Sequence, residues 1–535
     1  MITKQSLRHL PVQIFFSILL VVTVNAQPAE QWVKAYNSPI NINEYARYIT
    51  VDNSGNVIVT GISGNNIVTI KYSPAGTELW VRIHNSGIIC DINGIAADNN
   101  GNIIITGSDA VVTNRDMLTI KYDTAGNILW ERRYNGTGNR VDVSRAITLD
   151  AGNNIFITGY NEKNTAGTYE MVTIKYNSAG SILWENKTDA VFPNANVMKL
   201  DASGNIYICG ELIAANTNAF VAKISSAGTL EFIQTYDFTP AFGVDVFTSL
   251  EINGSGTNFY VTGRSWGGGT EKTDFVTVKY NAAGSSEWVQ RFNGPGNGDD
   301  FAYSLVIDNA ENIYSTGQSN GEKSASGDIA IVKYSSAGAQ LRSQIFSVGS
   351  NNEGAYKVRI DANQDLYLAG FSNSDALILK YNSALALQWS KTFNSPANQN
   401  DVAYDMILDN TGNIYVTGTS EGISSKIDYM TIKYSQLVGI NQIPSESPTR
   451  YLLSQNFPNP FNPSTNIRFD IPNDALVNIT VYDITGREVM LLVDGYKAAG
   501  SYEFNFDASG LSSGMYFYKF TAGSFTDIKK MVLLK

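Results

Sequence analysis

The sequence predicts an all-β chain: an eight-bladed β-propeller closed by its N-terminal strand, followed by a small immunoglobulin-like β-sandwich. Three observations carry that expectation. A stretch of the form DNTGNIYVTG (residues 409–418) occurs eight times, its copies ending in Gly at 61, 107, 159, 210, 263, 317, 370 and 418. A spacing of about 50 residues between copies marks a repeat architecture. The strand types balance only if the first strand of the chain completes the last unit.

The N-terminus reads as an export signal, residues 1–26. Lys4 and Arg8 precede an apolar core at 14–24, and Val24-Asn25-Ala26 before Gln27 fits a cleavage site. Eleven residues fall short of the about 20 that span a bilayer, and no later stretch qualifies as a membrane span.

Residues 27–434 hold the repeats, each with four strand-like runs. In the copy from Tyr404 these are YDMILD, NIYVTG and an IKY run at 429–434. Other copies add a run led by Trp80, Trp130, Trp184, Trp288 or Trp389, with Phe232 and Arg342 as substitutes. The last unit lacks one, while WVKAY at 32–36 stands alone at the front. Lending it to the last unit gives eight of each strand and closes a ring of radial four-stranded blades. It also covers a sheet edge. An open solenoid would have no reason to begin with an isolated fourth strand.

NIYVTG runs are apolar throughout, as for strands buried on both faces. The Trp runs mix in charge (WERRY, WENKT), as for a half-exposed outer strand. Lys of IKY to the Trp position is nine residues in every internal unit, whereas Gly61 to Lys71 is ten and Gly159 to Lys175 sixteen. One rim therefore carries fixed turns and the other variable loops, the usual place for binding. The D-x-x-G-N segment reads as a tight turn in which Asp and Asn bond nearby backbone and Gly supplies positive φ; it lacks the ligand spacing of a calcium loop. These fixed elements resemble the bacterial β-propeller repeats with a GNxYVTG core found in secreted proteins. That resemblance covers about residues 31–434 and implies an extracellular or surface scaffold with no shared catalytic residues.

Residues 435–450 (SQLVGINQIPSESPTR) read as a linker. Residues 451–535 alternate apolar and polar at 478–482, 502–506 and 516–520 between turn residues, which suits a small sandwich. The segment is similar to the type A C-terminal sorting domain of the type IX secretion system. The matching residues are NFPNPFNP at 456–463, Tyr482-Asp483, Gly486-Arg487, Ala499-Gly500, Leu511-Ser512-Ser513-Gly514-Met515-Tyr516 and Lys529-Lys530-Met531. The resemblance implies Gly486, Arg487, Gly514, Tyr516, Lys529 and Lys530 as the sorting signal and the type IX machinery as partner. It further implies removal of the tail, with release or surface attachment to follow.

A net charge of −11 argues against nucleic acid, which needs a basic footprint. Of the two cysteines, Cys209 reads as a small buried strand residue and Cys90 as a loop residue, so packing rather than a disulfide must stabilise the chain. Past the export signal the only histidine is His84, read as a loop residue; a lone His builds no zinc cage. Gly510-Leu511-Ser512-Ser513-Gly514 matches G-x-S-x-G but lacks the strand–elbow–helix context that a nucleophile needs. No catalytic set, cofactor or metal is expected.

Two acidic sets stand out. Eight residues before the first-strand Asp position lie Glu44, Asp142, Asp245, Asp300, Glu353 and Asp401, with Asp91 one residue out of register. Five residues before the IKY Lys lie Asp116, Glu170, Asp274, Asp328, Asp375 and Asp428. Both belong to the variable rim. Repeated acids there cap turns or form a crown that holds a cation or basic ligand. Trp266, beside three glycines in RSWGGGTEKTD, offers a ring for stacking on a sugar or peptide. The sequence is thus read as an exported, non-catalytic scaffold that binds an extracellular glycan or protein through the variable rim. The alternative is a secreted polysaccharide hydrolase or lyase using rim carboxylates.

Overall fold

The computed structural model describes residues 28–85, 87, 89–110, 114–238, 243–267, 272–320, 327–409, 412–422, 426–435, 441–443, 448–497, 499–508 and 511–535. The expected export signal lies outside the described residues. The described residues form ten four-stranded antiparallel sheets and no helix.

Eight sheets come from the repeats. Seven follow sequence order, such as Glu44–Val51, Val57–Ser63, Asn66–Tyr72 and Glu78–Asn85. The eighth joins Asp401–Leu408, Ile414–Glu421 and Ile427–Ser435 to Ala29–Tyr36, the first strand of the chain. That pairing sets Trp32 opposite Lys433 and Tyr36 opposite Tyr429. Successive sheets pack face to face. Tyr415 and Tyr429 of the last repeat enter one apolar cluster with Ala46, Ile49 and Val59 of the first. Second strands such as Ile103–Ala110 are buried along their whole length, while the Trp strands are partly exposed, because inner strands are covered on both faces by neighbouring sheets.

The D-x-x-G-N segments are tight turns. Asp52 Oδ1 accepts from the amides of Ser54 and Asn56, both at 2.9 Å, and Gly55 sits at φ 76°. In the first three repeats the IKY lysine completes the motif by pairing with the turn Asp. Lys71, 2% exposed, lies 2.9 Å from Asp52 Oδ2 and donates to the Thr124 carbonyl of the next unit at 3.3 Å.

Every first strand carries a β-bulge where it faces the VTG glycine of the second strand. A Cβ on Gly61 would lie 2.0 Å from the Tyr45 carbonyl oxygen, and one on Gly418 would lie 1.8 Å from that of Val402. Only glycine lets the bulged backbone approach this closely. The unpaired residues are Arg47, Asn93, Arg145, Asn196, Thr248, Tyr303, Tyr356 and Tyr404.

The tail forms two sheets over a core that includes Ile467, Phe469, Val477, Ile479, Tyr518 and Phe520. A short strand, Asn441–Ile443, lies inside the segment expected as linker and pairs with Gly500–Asp507. Cys90, expected in a loop, lies in the strand Ile89–Ala97, and neither cysteine forms a disulfide.

Candidate functional site

The rim carboxylates turn inward. Glu44, Asp142, Asp300, Glu353 and Asp401 are 0% exposed and Asp245 1%. Their oxygens accept backbone amides of the connection that leads into the strand: Ser38 on Glu44 at 2.7 Å, Gly136 on Asp142 at 2.7 Å, Gly294 on Asp300 at 2.6 Å and Ser395 on Asp401 at 2.6 Å. Phe238 does the same for Asp245 at 3.2 Å, and Ser372 Oγ bonds Glu353 at 3.0 Å. These contacts are those of the turn-capping alternative, and they turn the six carboxylates inward rather than toward a ligand at the rim. The amide of a short loop is a nearer and drier partner than water.

Asp91 departs from the others. It is half-buried and paired with Arg115 at 2.9 Å, while Cys90 occupies the register position of Glu44. Opposite Cys90 stands Asp109, in the place of Ser63. In this unit the buried acid has moved to the second strand, where Arg133 (2.7 Å) and His84 (3.4 Å) meet it. Burial pushes Asp109 up, but hydrogen bonds from His84 and Arg133 outweigh it and hold the carboxyl below its usual range. His84 is thus a strand residue at a unit junction rather than part of a loop.

The second acidic set meets the first across junctions between units. The Asp142 amide donates to the Arg115 carbonyl at 2.6 Å, and the Asp401 amide to Ser374 at 2.7 Å, which places Asp116 and Asp375 beside them. Burial raises Asp142 to about 7; the Gly136 amide offsets this only in part, and Asp116 and Glu170 push the same way. Asp300 rises to about 6, through burial and then Asp274, against the pull of Gly294 and Ser319.

Trp266 is the last residue of the strand Asn258–Trp266, paired with Thr273 and half-buried. It is a strand end rather than the exposed loop residue expected.

The first strands of all eight repeat sheets line one cavity of about 600 Å³. Sequence reasoning missed it. Tyr303 lines it together with Tyr48; behind the lining Tyr303 packs on Tyr356 and Tyr356 on Tyr404, with ring centroids 5.3 and 5.5 Å apart, and the Arg47 guanidinium lies 4.9 Å from the Tyr404 ring. Lys357 and Arg359 share Asp405 at 3.6 and 3.5 Å, while Asp405 also accepts the Ile49 amide at 3.2 Å. Lys199 pairs with Glu251 at 2.9 Å, and the buried Nε of Arg145 has no hydrogen-bond partner among the described residues. The lining thus carries Arg145, Lys199, Lys357 and Arg359 against Glu251 and Asp405. Asp405 pulls the Lys357 pKa up, but burial, Arg359 and Lys199 together bring it below the usual lysine value. Such a cation-rich concavity focuses field on an anion, and the tyrosines add amphipathic contact surface.

In the tail, NFPNPFNP binds the last strand. Asn459 accepts the Val532 amide at 2.9 Å and Phe461 donates to the Val532 carbonyl at 3.0 Å. Gly486 makes the φ 80° turn between Asp483 and Arg487, where Arg487 is exposed and bonds Asp483 at 3.1 Å. Gly514 opens the strand Gly514–Ala522, and the buried Tyr516 donates to the Ser512 carbonyl at 2.8 Å. Lys529 pairs with Asp527 at 3.0 Å, and Lys530 is exposed.

Residues 455–534 match the family described as a secretion system C-terminal sorting domain, and residues 287–322 match the β-propeller repeat. The chain is a β-propeller repeat protein with a secretion-system sorting domain. The sorting domain marks a secreted or cell-surface protein handled by type IX secretion. No helix among the described residues is long and apolar enough to cross a membrane. No curated protein matches the propeller protein. Similar solved structures include the polysaccharide lyase Uly1, 11% identical over 72% of this chain and 89% of that one, TM-score 0.40. A protein from Lactobacillus plantarum is 12% identical over 66% and 96%, TM-score 0.38. Porphyromonas gingivalis dipeptidyl peptidase 4 is 9% identical over 79% and 64%, TM-score 0.38. Likenesses this distant carry no inference about activity.

Proposed function

We propose that the repeats form a closed eight-bladed propeller, a non-catalytic extracellular binding module whose axial channel takes an anionic ligand. The observation that carries this reading is the cationic excess of the channel, Arg145, Lys199, Lys357 and Arg359 against two carboxylates, in a chain of net charge −11. Closure is supported by the strand at Ala29–Tyr36 completing the last sheet and by the shared lining of all eight first strands. The non-catalytic reading is supported by the rim carboxylates, which are engaged with their own loops. Delivery runs through an N-terminal export signal and the sorting domain, with Gly486, Arg487, Gly514, Tyr516, Lys529 and Lys530 as its signal and residues 435–450 as the region of cleavage. Binding of the tail-less chain to an array of acidic and neutral glycans and peptides tests the proposal. Retention of acidic probes alone is expected. Preference for neutral or basic probes, or turnover of a polysaccharide, would overturn it.

A further inference from the structure

Two junctions between repeat units hold neighbouring carboxylates whose oxygens are left open. At one, the Asp142 amide bonds the carbonyl of Arg115, fixing Asp142 beside Asp116. At the other, the Ile427 amide donates to Asn43 Oδ1 at 3.3 Å, so the residue before Asp428 meets the residue before Glu44. Glu44 and Asp142 are wholly buried. One oxygen of each is used: Glu44 Oε1 accepts from the Ser38 amide and Ser63 Oγ, and Asp142 Oδ2 from the Gly136 amide. The remaining oxygens, Glu44 Oε2 and Asp142 Oδ1, have no partner among the described residues, and neither do Asp116 Oδ1 and Asp428 Oδ1 opposite them. Neighbouring cations are engaged elsewhere, Arg115 on Asp91, Arg133 on Asp109 and Lys187 on Glu185.

A wholly buried carboxylate beside a half-buried one is relieved either by a shared proton or by a bound cation. We infer that the Asp116–Asp142 and Glu44–Asp428 junctions each bind a hard divalent cation, with Ca²⁺ the ion that suits them. All the open donors are oxygens, with no thiolate or imidazole among them, which selects hard cations. The donors come from two separate units, so the geometry is irregular, which Ca²⁺ tolerates and Mg²⁺ does not. Among the described residues no three His, Cys, Asp or Glu side chains converge at one point. The ion therefore keeps part of its water shell and binds in the ~10⁻⁴–10⁻³ M class of extracellular modules. The junctions headed by Cys90 and Pro193 in the same register lack the first-strand acid and serve as built-in contrasts.

The test uses the full chain, stripped with chelator and titrated with CaCl₂ at pH 7.5 by calorimetry and thermal unfolding, with MgCl₂ and NaCl at matched ionic strength. Ca²⁺ should raise Tm by several degrees and Mg²⁺ by less. The double variant Asp142→Asn, Asp428→Asn removes charge without removing volume. It should fold, lose two bound Ca²⁺ per chain, and unfold at the same Tm with or without the ion. Unchanged Ca²⁺ stoichiometry in this variant would overturn the inference. So would a wild-type chain that ignores Ca²⁺ and gains Tm only on acidification to about pH 6, since a proton would then be what each pair holds. Neither result bears on the channel ligand.

Discussion

Trp32 donates its indole N–H to the Pro74 carbonyl at 3.1 Å and lies over Gly76. The same bond joins Trp80 to Thr124, Trp130 to Ser178, Trp184 to Ser226 and Trp288 to Ser336. Each of those tryptophans reaches from its own unit to a fixed turn of the next. Trp32 reaches from the sheet of Asp401–Leu408 to a turn of the first unit, so it makes the contact that a closed ring requires at its seam.

Breaking that contact should loosen the seam. Trp32→Ala is expected to cost about 2 kcal/mol by denaturant unfolding, below the about 3–5 for a core Trp because the ring is half-buried. Deleting residues 29–36 should expose the edge of Ile427–Ser435 and produce dimers or larger species in size-exclusion chromatography. A deleted chain that stays monomeric with an unchanged midpoint would show the ring does not depend on its first strand.

The buried pair of Asp98 and Lys121, 2.8 Å apart, predicts an acid-sensitive fold. Burial alone would raise Asp98, but hydrogen bonds from Lys121 and Asn102 win and hold it below the ordinary carboxylate range. A depressed folded-state pKa gives stability that is present above the unfolded value of about 4 and is lost as pH falls through the folded one. Asp98→Asn should therefore cost about 3 kcal/mol at pH 7, and the gap from wild type should shrink below about pH 4. A gap that stayed constant down to pH 2 would mean the charge of Asp98 adds nothing.

What could be read in the sequence was what local chemistry fixes. The Asp52 turn, the apolar second strands and the orphan WVKAY run all announce themselves within a few residues. The turn-capping role of Glu44 and Asp142 was one of two readings the sequence left open, and it could not be decided there because their partners are loop amides whose position depends on folding. The channel did not announce itself, since which residues of a first strand line it depends on where the bulge falls, and a bulge is a property of pairing. Its trace was present: the bulged residue lies 14 positions before the VTG glycine in seven units and 15 in the unit of Thr248. Asn441–Ile443 escaped because three residues carry no period and their partner lies near Tyr502.

The VTG glycines should be irreplaceable for steric rather than conformational reasons. A Cβ on Gly159 would meet the Val143 carbonyl at 2.0 Å and Ser144 Cα at 2.8 Å. Backbone cannot move aside as a side chain can, so Gly159→Ala should cost about 3 kcal/mol, the upper part of the overpacking range. It should also pull Arg145 from its bulge. Unfolding midpoints of this variant against Gly167→Ala, where no atom lies within 4 Å but φ is 75°, separate crowding from strain: the first should lose more.

The channel makes the last prediction, and salt decides it. If an anionic ligand is held by the excess of Lys357, Arg359 and Arg145, its affinity must fall as ionic strength rises, because added ions screen charges beyond about 10 Å at 0.1 M. Replacing Lys357 and Arg359 together by Met should reduce affinity at least tenfold and flatten that salt dependence. It should also lower stability, since the buried Asp405 loses both its cations, so affinities are compared on folded protein. Tyr303→Ala should act differently. Tyr303 lines the channel and packs on Tyr356, so its loss should weaken binding severalfold while leaving the salt slope intact. Calorimetry of the three proteins at two salt concentrations reads both effects. Equal losses with parallel slopes would mean that the cations shape the channel without attracting what enters it.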